Sequence, residues 1–364
     1  MTETARPVAV KIPSIESQLS RLWEEAEEQG GALSRTVLLT LIALSRNKMI
    51  AAKAAQLITA VAGDHPARAI IISNPPSNPP SDSGENISTH VSIACQLVSR
   101  TDKRLCTEQV QMEASGASLE RIAAAVAPLA LPDVPLVFWP ADGLPADLDE
   151  YARFFENADR VLFDSRLSEN RAAAFRFIEE KMRRDKAPMV DLAWVDSAPW
   201  RLAIAQMFDP EHHRALLGDI TGITVRCGCG DELPGTCSLM MAGWIASRLQ
   251  WTSLAPIKLE ARGGWRSGQP ERRSIHFQRA GDAEEGITVV KLTTPDKAEF
   301  TIRYNRAEGT ALLASDCGGE LREVTLHLGM RSEAQVLCGA LEVGRRDPVF
   351  QSALNAINQM LVDA

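Results

Sequence analysis

The stretch TVLLTLIALSRNKMIAAKAAQLITAVAGDHPARAIII, from Thr36 to Ile72, decides how this chain is to be read. It opens on a continuous apolar run, Thr36 to Leu44, of the length of a strand covered on both faces. From Asn47 to Ala62, Ile50, Ala54, Leu57, Ile58 and Val61 recur at helical spacing until Gly63 stops the helix. A second buried strand, Ala69 to Ile72, follows. Strand, helix and strand in that order predict a parallel pair joined by a crossover helix, and so a sheet with helices on its faces.

Upstream, Ile15, Leu19, Leu22, Trp23 and Ala26 give the apolar stripe of a helix whose glutamates, Glu24, Glu25, Glu27 and Glu28, form its solvated face. Downstream, Asn74 to Gly84 (NPPSNPPSDSG) reads as a long surface loop. Ile87–Val98 and Leu105–Met112 then form a hairpin. Helices over 118–127 and 168–183 and strands over 134–138 and 160–163 complete an α/β domain with a mixed, partly parallel sheet, spanning residues 1–186. Beyond residue 187 the pattern changes. Helices over 197–208 and 236–249 precede five short alternating segments at 274–277, 287–292, 299–304, 310–313 and 323–328, which predict an antiparallel meander. Helices over 332–341 and 348–362 are expected to pack on one face of that meander, making residues 187–364 an α+β domain.

Composition narrows the function classes. A net charge of -8 gives no basic footprint for nucleic acid. No apolar run approaches the ~20 residues of a spanning helix, and residues 1–13 carry no signal pattern, so neither export nor membrane insertion is expected. Seven cysteines at irregular spacing do not read as a disulfide framework and fit a reducing cytosol.

Catalytic chemistry has no obvious seat, and no cofactor is expected. A dinucleotide site needs a glycine-rich turn after the first buried strand, and that turn reads Ser45, Arg46, Asn47, Lys48. CGCGDELPGTC offers Cys227, Cys229 and Cys237 as a thiol switch. Their C-x-C spacing lacks a zinc knuckle, and Cys317 would have to be brought in by the fold, so no metal site is expected. His212 and His213 read as exposed polar residues, and His276 and His327 as outer-face residues of the meander. Aromatics are only 5% of the chain, yet seven are tryptophan and two tyrosine, which singles out Trp139, Trp194 and Trp200 as core packing or as anchors for a protein partner.

HPAR at 65–68 running into AIII, VFWPADGLP at 137–145 and DLAWVDSAPWRLAIAQMFD at 191–209, in this order, resemble OpcA, the glucose-6-phosphate dehydrogenase assembly protein family. The resemblance is strongest from Leu57 to Leu249 and weaker in the meander. It implies a non-enzymatic cytoplasmic protein that binds glucose-6-phosphate dehydrogenase, promotes its active oligomer and feeds the oxidative pentose phosphate pathway. Cyanobacterial members are longer and tied to thioredoxin through C-terminal cysteines; here Cys338 has no second cysteine beside it, so thioredoxin is not carried over as a firm partner. The family pattern assigns no contact residues, and chemistry alone nominates Trp139, Trp194, Trp200, Arg201 and Arg68. Two other readings stand beside this one: a sugar-phosphate or nucleotide-binding enzyme using a cleft between the domains, and a cysteine-based redox or metal sensor.

Overall fold

A computed structural model describes residues 2–4, 7–28, 32–34, 36–76, 87–97, 103–184, 187–228, 233–260, 264–269, 273–280, 286–305 and 307–362. The chain forms two compact units.

The first unit is built on strands β1 (Thr2–Thr4), β2 (Val8–Val10), β3 (Ala32–Ser34), β4 (Leu39–Ser45), β5 (Ala67–Ser73), β6 (Ile87–Leu97), β7 (Lys103–Ala114), β8 (Leu136–Pro140), β9 (Arg160–Phe163) and β10 (Met189–Asp191). The sheet runs β1-β6-β7-β5-β4-β8-β9-β10, with β2 on β6 and β3 on β7. From β7 to β10 every neighbouring pair is parallel, while β6 and β7 form the antiparallel hairpin. Every residue of β4 is buried, as its continuous apolar run requires. Each large side chain there, such as Leu41 or Leu44, contributes about 1.5–3 kcal/mol by leaving water. Helices α1 (Ile15–Glu28), α2 (Lys48–Ala60), α3 (Leu119–Val126) and α4 (Ala152–Asn157) belong to this unit. The α1 stripe Ile15, Leu19, Leu22 and Trp23 is buried as its spacing predicts.

The second unit contains β11 (Gly222–Cys227), β12 (Ala255–Leu259), β13 (Trp265–Gln269), β14 (Arg273–Arg279), β15 (Ile287–Thr293), β16 (Glu299–Asn305), β17 (Thr310–Cys317) and β18 (Glu320–His327), in the order β12-β13-β14-β11-β15-β16-β17-β18. All five expected alternating segments are strands. The meander is interrupted, however: β11 lies between β14 and β15, parallel to the first and antiparallel to the second. Strand β11, which the sequence analysis did not assign, alternates in burial along its length. Ile223, Val225, Ile275, Phe277, Val290, Phe300 and Ile302 form the buried face. Register places Thr224, His276, Lys291 and Thr301 side by side on the same strands' opposite face.

Helices α5 (Arg171–Arg184), α6 (Leu192–Asp196), α7 (Ala198–Met207), α8 (Glu211–Arg214) and α9 (Thr236–Arg248) precede or interrupt these strands, and α10 (Glu333–Glu342) and α11 (Pro348–Met360) follow them. At Gly243 of α9 an added Cβ would lie 2.6 Å from Ile357 Cγ1 and 2.9 Å from the Ala353 carbonyl oxygen of α11, so glycine sets the approach of this helix pair.

The units interleave in sequence. One comprises residues 1–169, 185–192 and 332–346, and the other 170–184, 193–331 and 347–364. The sequence expectation is a single boundary between 186 and 187; by compactness, α5 groups with the second sheet and α10 with the first. Thus α10 does not pack on the meander as expected. It meets α2, where Lys53 pairs with Glu333 at 2.6 Å.

Candidate functional site

In an open parallel sheet, ligands bind outside the carboxyl ends of the strands where the strand order reverses. Here that point lies between β4, which leads through α2 to β5 on one side, and β8 on its other side. A cavity of about 650 Å³ opens along this edge, lined by residues that include Arg46, Asn74, Gly116, Ser118, Glu150 and Arg153.

A phosphate would need the free backbone N–H groups that begin α2. Two backbone N–H groups at this turn, those of Arg46 and Met49, already have acceptors from the chain itself. Asn47 caps the helix, its side chain accepting from Met49 N at 2.8 Å. Asp142, in the turn after β8, accepts from the Arg46 backbone N–H at 2.6 Å and from Ser45 Oγ at 3.1 Å. The turn depends on Gly143, whose φ is +91° and whose added Cβ would lie 2.6 Å from the Leu167 carbonyl carbon. The Arg46 guanidinium is paired with Glu150. Beneath it Tyr151 is buried among Phe138, Phe154 and Phe155. Burial, reinforced by the charge of Asp142, pushes its phenol well above the ordinary value, so the hydroxyl stays neutral. The Arg46 N–H beside the start of α2 is therefore taken by a carboxylate, and a diphosphate there would have to displace it against like charge.

The residues nominated from sequence are mostly interior. Trp139, Trp194 and Trp200 are each only 4% exposed, so none offers its ring to a partner from this folded chain. Trp139 lies within β8, and Trp200 meets Tyr304 edge-on at 6.0 Å. Trp194 donates from Nε1 to Asp347 Oδ2 at 2.8 Å, and Asp347 caps α11 by accepting from Val349 N and Phe350 N. Arg201 stacks 3.6 Å from the Trp194 ring centre and donates to the Trp194 carbonyl oxygen at 2.6 Å. Burial lowers its guanidinium to about 10, leaving it charged at neutral pH. These residues of the DLAWVDSAPWR motif together fasten α7 to the start of α11.

Arg68 is also buried. On β5 it faces Glu108 of β7 in direct register, with Nε 2.8 Å from Oε2. Its other nitrogens reach Glu16 at 2.6 and 3.2 Å, while Trp23 Nε1 donates to Glu108 Oε1 at 2.7 Å. Although burial alone would lower the guanidinium, Glu108 and Glu16 raise it overall. The network ties α1 to the sheet.

The thiol reading is corrected in part. Cys227 is buried and Cys237 half-buried, and Cys229 lies outside the described residues. Cys227 is not accessible, because its side chain is on the covered face of β11. The pair that does bond is Cys95–Cys106, directly opposite one another in the β6–β7 hairpin, a disulfide that the irregular cysteine spacing did not predict. His213 is not an exposed polar residue: it is buried against Phe300, with Nδ1 2.7 Å from the Met207 carbonyl oxygen. His212 is exposed, as expected. Of the proline-rich loop, residues 77–84 lie outside the described residues. Sequence reasoning missed Asp142 and Glu108; the Asp-Gly step at 142–143 was the available turn signal for the first, and nothing local marked the second.

Residues 58–180 match a family model described as the glucose-6-phosphate dehydrogenase subunit N-terminal domain, and residues 187–354 match the C-terminal domain of the same subunit. The OxPP cycle protein OpcA of Synechocystis sp. is 25% identical over 244 residues, covering 67% of this chain and 48% of that protein. Its counterpart in Synechococcus elongatus is 29% identical over 198 residues, covering 54% and 42% respectively. The chain thus spans about half the length of the curated relatives it matches. Among solved structures, levoglucosan dehydrogenase in its apo form superposes with a TM-score of 0.53 at 12% identity, covering 90% of this chain and 96% of that one, a likeness of fold alone.

Proposed function

From the premise that this chain belongs to the OpcA family of glucose-6-phosphate dehydrogenase subunits, we propose that it is a non-enzymatic assembly factor and allosteric activator of glucose-6-phosphate dehydrogenase. It binds the dehydrogenase in the cytoplasm and promotes its active oligomer, supporting the oxidative pentose phosphate pathway. The observation that carries the non-enzymatic part is Asp142. A chain with a dehydrogenase-like fold places its own carboxylate on the Arg46 backbone N–H, where a dinucleotide phosphate would need a donor. Activation follows from linkage: a protein with higher affinity for the active form shifts the population by that difference.

Titrating this chain into the cognate dehydrogenase, with sizing in parallel, tests the reading. Turnover rises or the apparent substrate requirement falls, and the two proteins co-elute. Unchanged kinetics with separate elution across the concentration series overturn it. The likeness of fold to a dehydrogenase favours one second reading, a nucleotide-binding enzyme. That reading requires a thermal shift with NAD(H) or NADP(H) and turnover in the absence of any dehydrogenase.

A further inference from the structure

Helix α10 belongs to the first unit, and there three side chains with metal-binding chemistry converge, with a fourth, Asp64, beside one of them. Cys338 and Glu342 are one helical turn apart on α10 and share a face. Opposite them lie Asp64 and His65, in the turn after α2, which is held by the Asp64 and His65 backbone N–H groups on the Val61 carbonyl oxygen at 3.1 and 2.8 Å. Ligand atoms of His65, Cys338 and Glu342 all lie within 4.8 Å of one another, and Asp64 Oδ2 is 4.0 Å from Cys338 Sγ.

Two further features point to a cation. His65 Nε2 is shielded from solvent and has no hydrogen-bond partner, an uncompensated cost for a buried polar atom. Among the described residues no lysine or arginine forms an ion pair with Asp64 or Glu342, so two carboxylates flank a thiol without a neutralising side chain. We propose that His65, Cys338 and Glu342 bind one zinc-class divalent ion that fastens α10 to the first unit, with Asp64 the carboxylate beside the Cys338 sulfur. One sulfur, one imidazole nitrogen and one carboxylate suit Zn²⁺ in tetrahedral coordination, whereas Mg²⁺ and Ca²⁺ select all-oxygen sites. Spacing along the sequence does not reveal the site, because Asp64 and Cys338 are 274 residues apart.

The test uses the full chain, stripped with chelator and kept reduced. Zn²⁺ is titrated against a chromogenic chelator, and Co²⁺ replaces it for spectroscopy. One equivalent binds, Co²⁺ gives a thiolate charge-transfer band, and the melting temperature rises with metal. Cys338→Ser abolishes the band, and Glu342→Gln weakens binding about tenfold or more, while Cys237→Ser and Cys317→Ser change neither. Far-UV circular dichroism of the metal-free variants checks that they fold, and Glu342, being exposed, is the substitution least able to disturb the interior. Failure to bind Zn²⁺ overturns the proposal. So does a cobalt–thiolate band that survives Cys338→Ser.

Discussion

The two sheets of this chain are covered differently. The first is buried on both faces along β4 and β5, and it satisfies its charges internally: Arg68 is committed to Glu108 and Glu16, and Asp142 to the Ser45–Arg46 turn. The second is covered on one face, while its other carries Thr224, Arg226, His276 and Lys291 at intermediate exposure and Arg303 in solvent. Polar groups in the first sheet therefore act chiefly on stability, whereas those on the open face of the second can be changed with little effect on folding.

The largest effect expected is from Arg68→Met, which leaves Glu108 charged and buried: about 3–5 kcal/mol of stability is lost, measured by urea unfolding. A loss under about 1 kcal/mol would break the contrast between the sheets. Replacing Gly243 by Val, which forces α9 from α11, costs about 1–3 kcal/mol in the same assay. Asp142→Ala removes a cap-like acceptor and costs about 0.5–2 kcal/mol. It also leaves the Arg46 N–H available, so weak thermal stabilisation by phosphate appears in the variant and not in the parent. Arg303→Ala, on the open face, stays within about 0.5 kcal/mol, and a loss of dehydrogenase activation at that small cost would sharpen the contrast most.

A smaller effect is set by pH. Glu299 is held below the usual carboxylate range, first by its hydrogen bond from Lys291. A depressed folded value means that its stabilisation is present above the unfolded pKa of about 4.3 and is lost as pH falls through the folded one. Because the pair is more than a third exposed, the loss is a few tenths of a kcal/mol at most. Comparing parent with Glu299→Gln in unfolding curves from neutral pH down to acid resolves it, with the two converging at the acid end.

Much of this was legible in the sequence because covering both faces of a sheet and covering one face leave different patterns. Thr36–Leu44 announced β4, and the alternation at 287–292 and 299–304 announced β15 and β16 within a residue or so. What escaped was non-local. Strand β11 is separated from its partner β14 by about fifty residues and was masked by neighbouring glycines and cysteines. Rich in small residues, α10 carries nothing in its own pattern to say which sheet it serves. The carboxylate on the Arg46 N–H could be half-read, since the turn at 45–48 lacks glycine; that Asp142 supplies it depends on β8 lying next to β4. Tryptophans that suggested a binding surface proved interior, because a large indole gains more from burial than from exposure unless a partner covers it.

The interleaving has a consequence for biosynthesis. The chain passes between its units five times, and the first unit includes Ser332–Arg346. A ribosome must therefore make all of Ala193–Arg331 before that unit can acquire its last helix, so the usual order, in which an N-terminal domain is finished before the next begins, does not hold here. Until α10 emerges, the side of α2 that it meets, Lys53 included, remains without its cover.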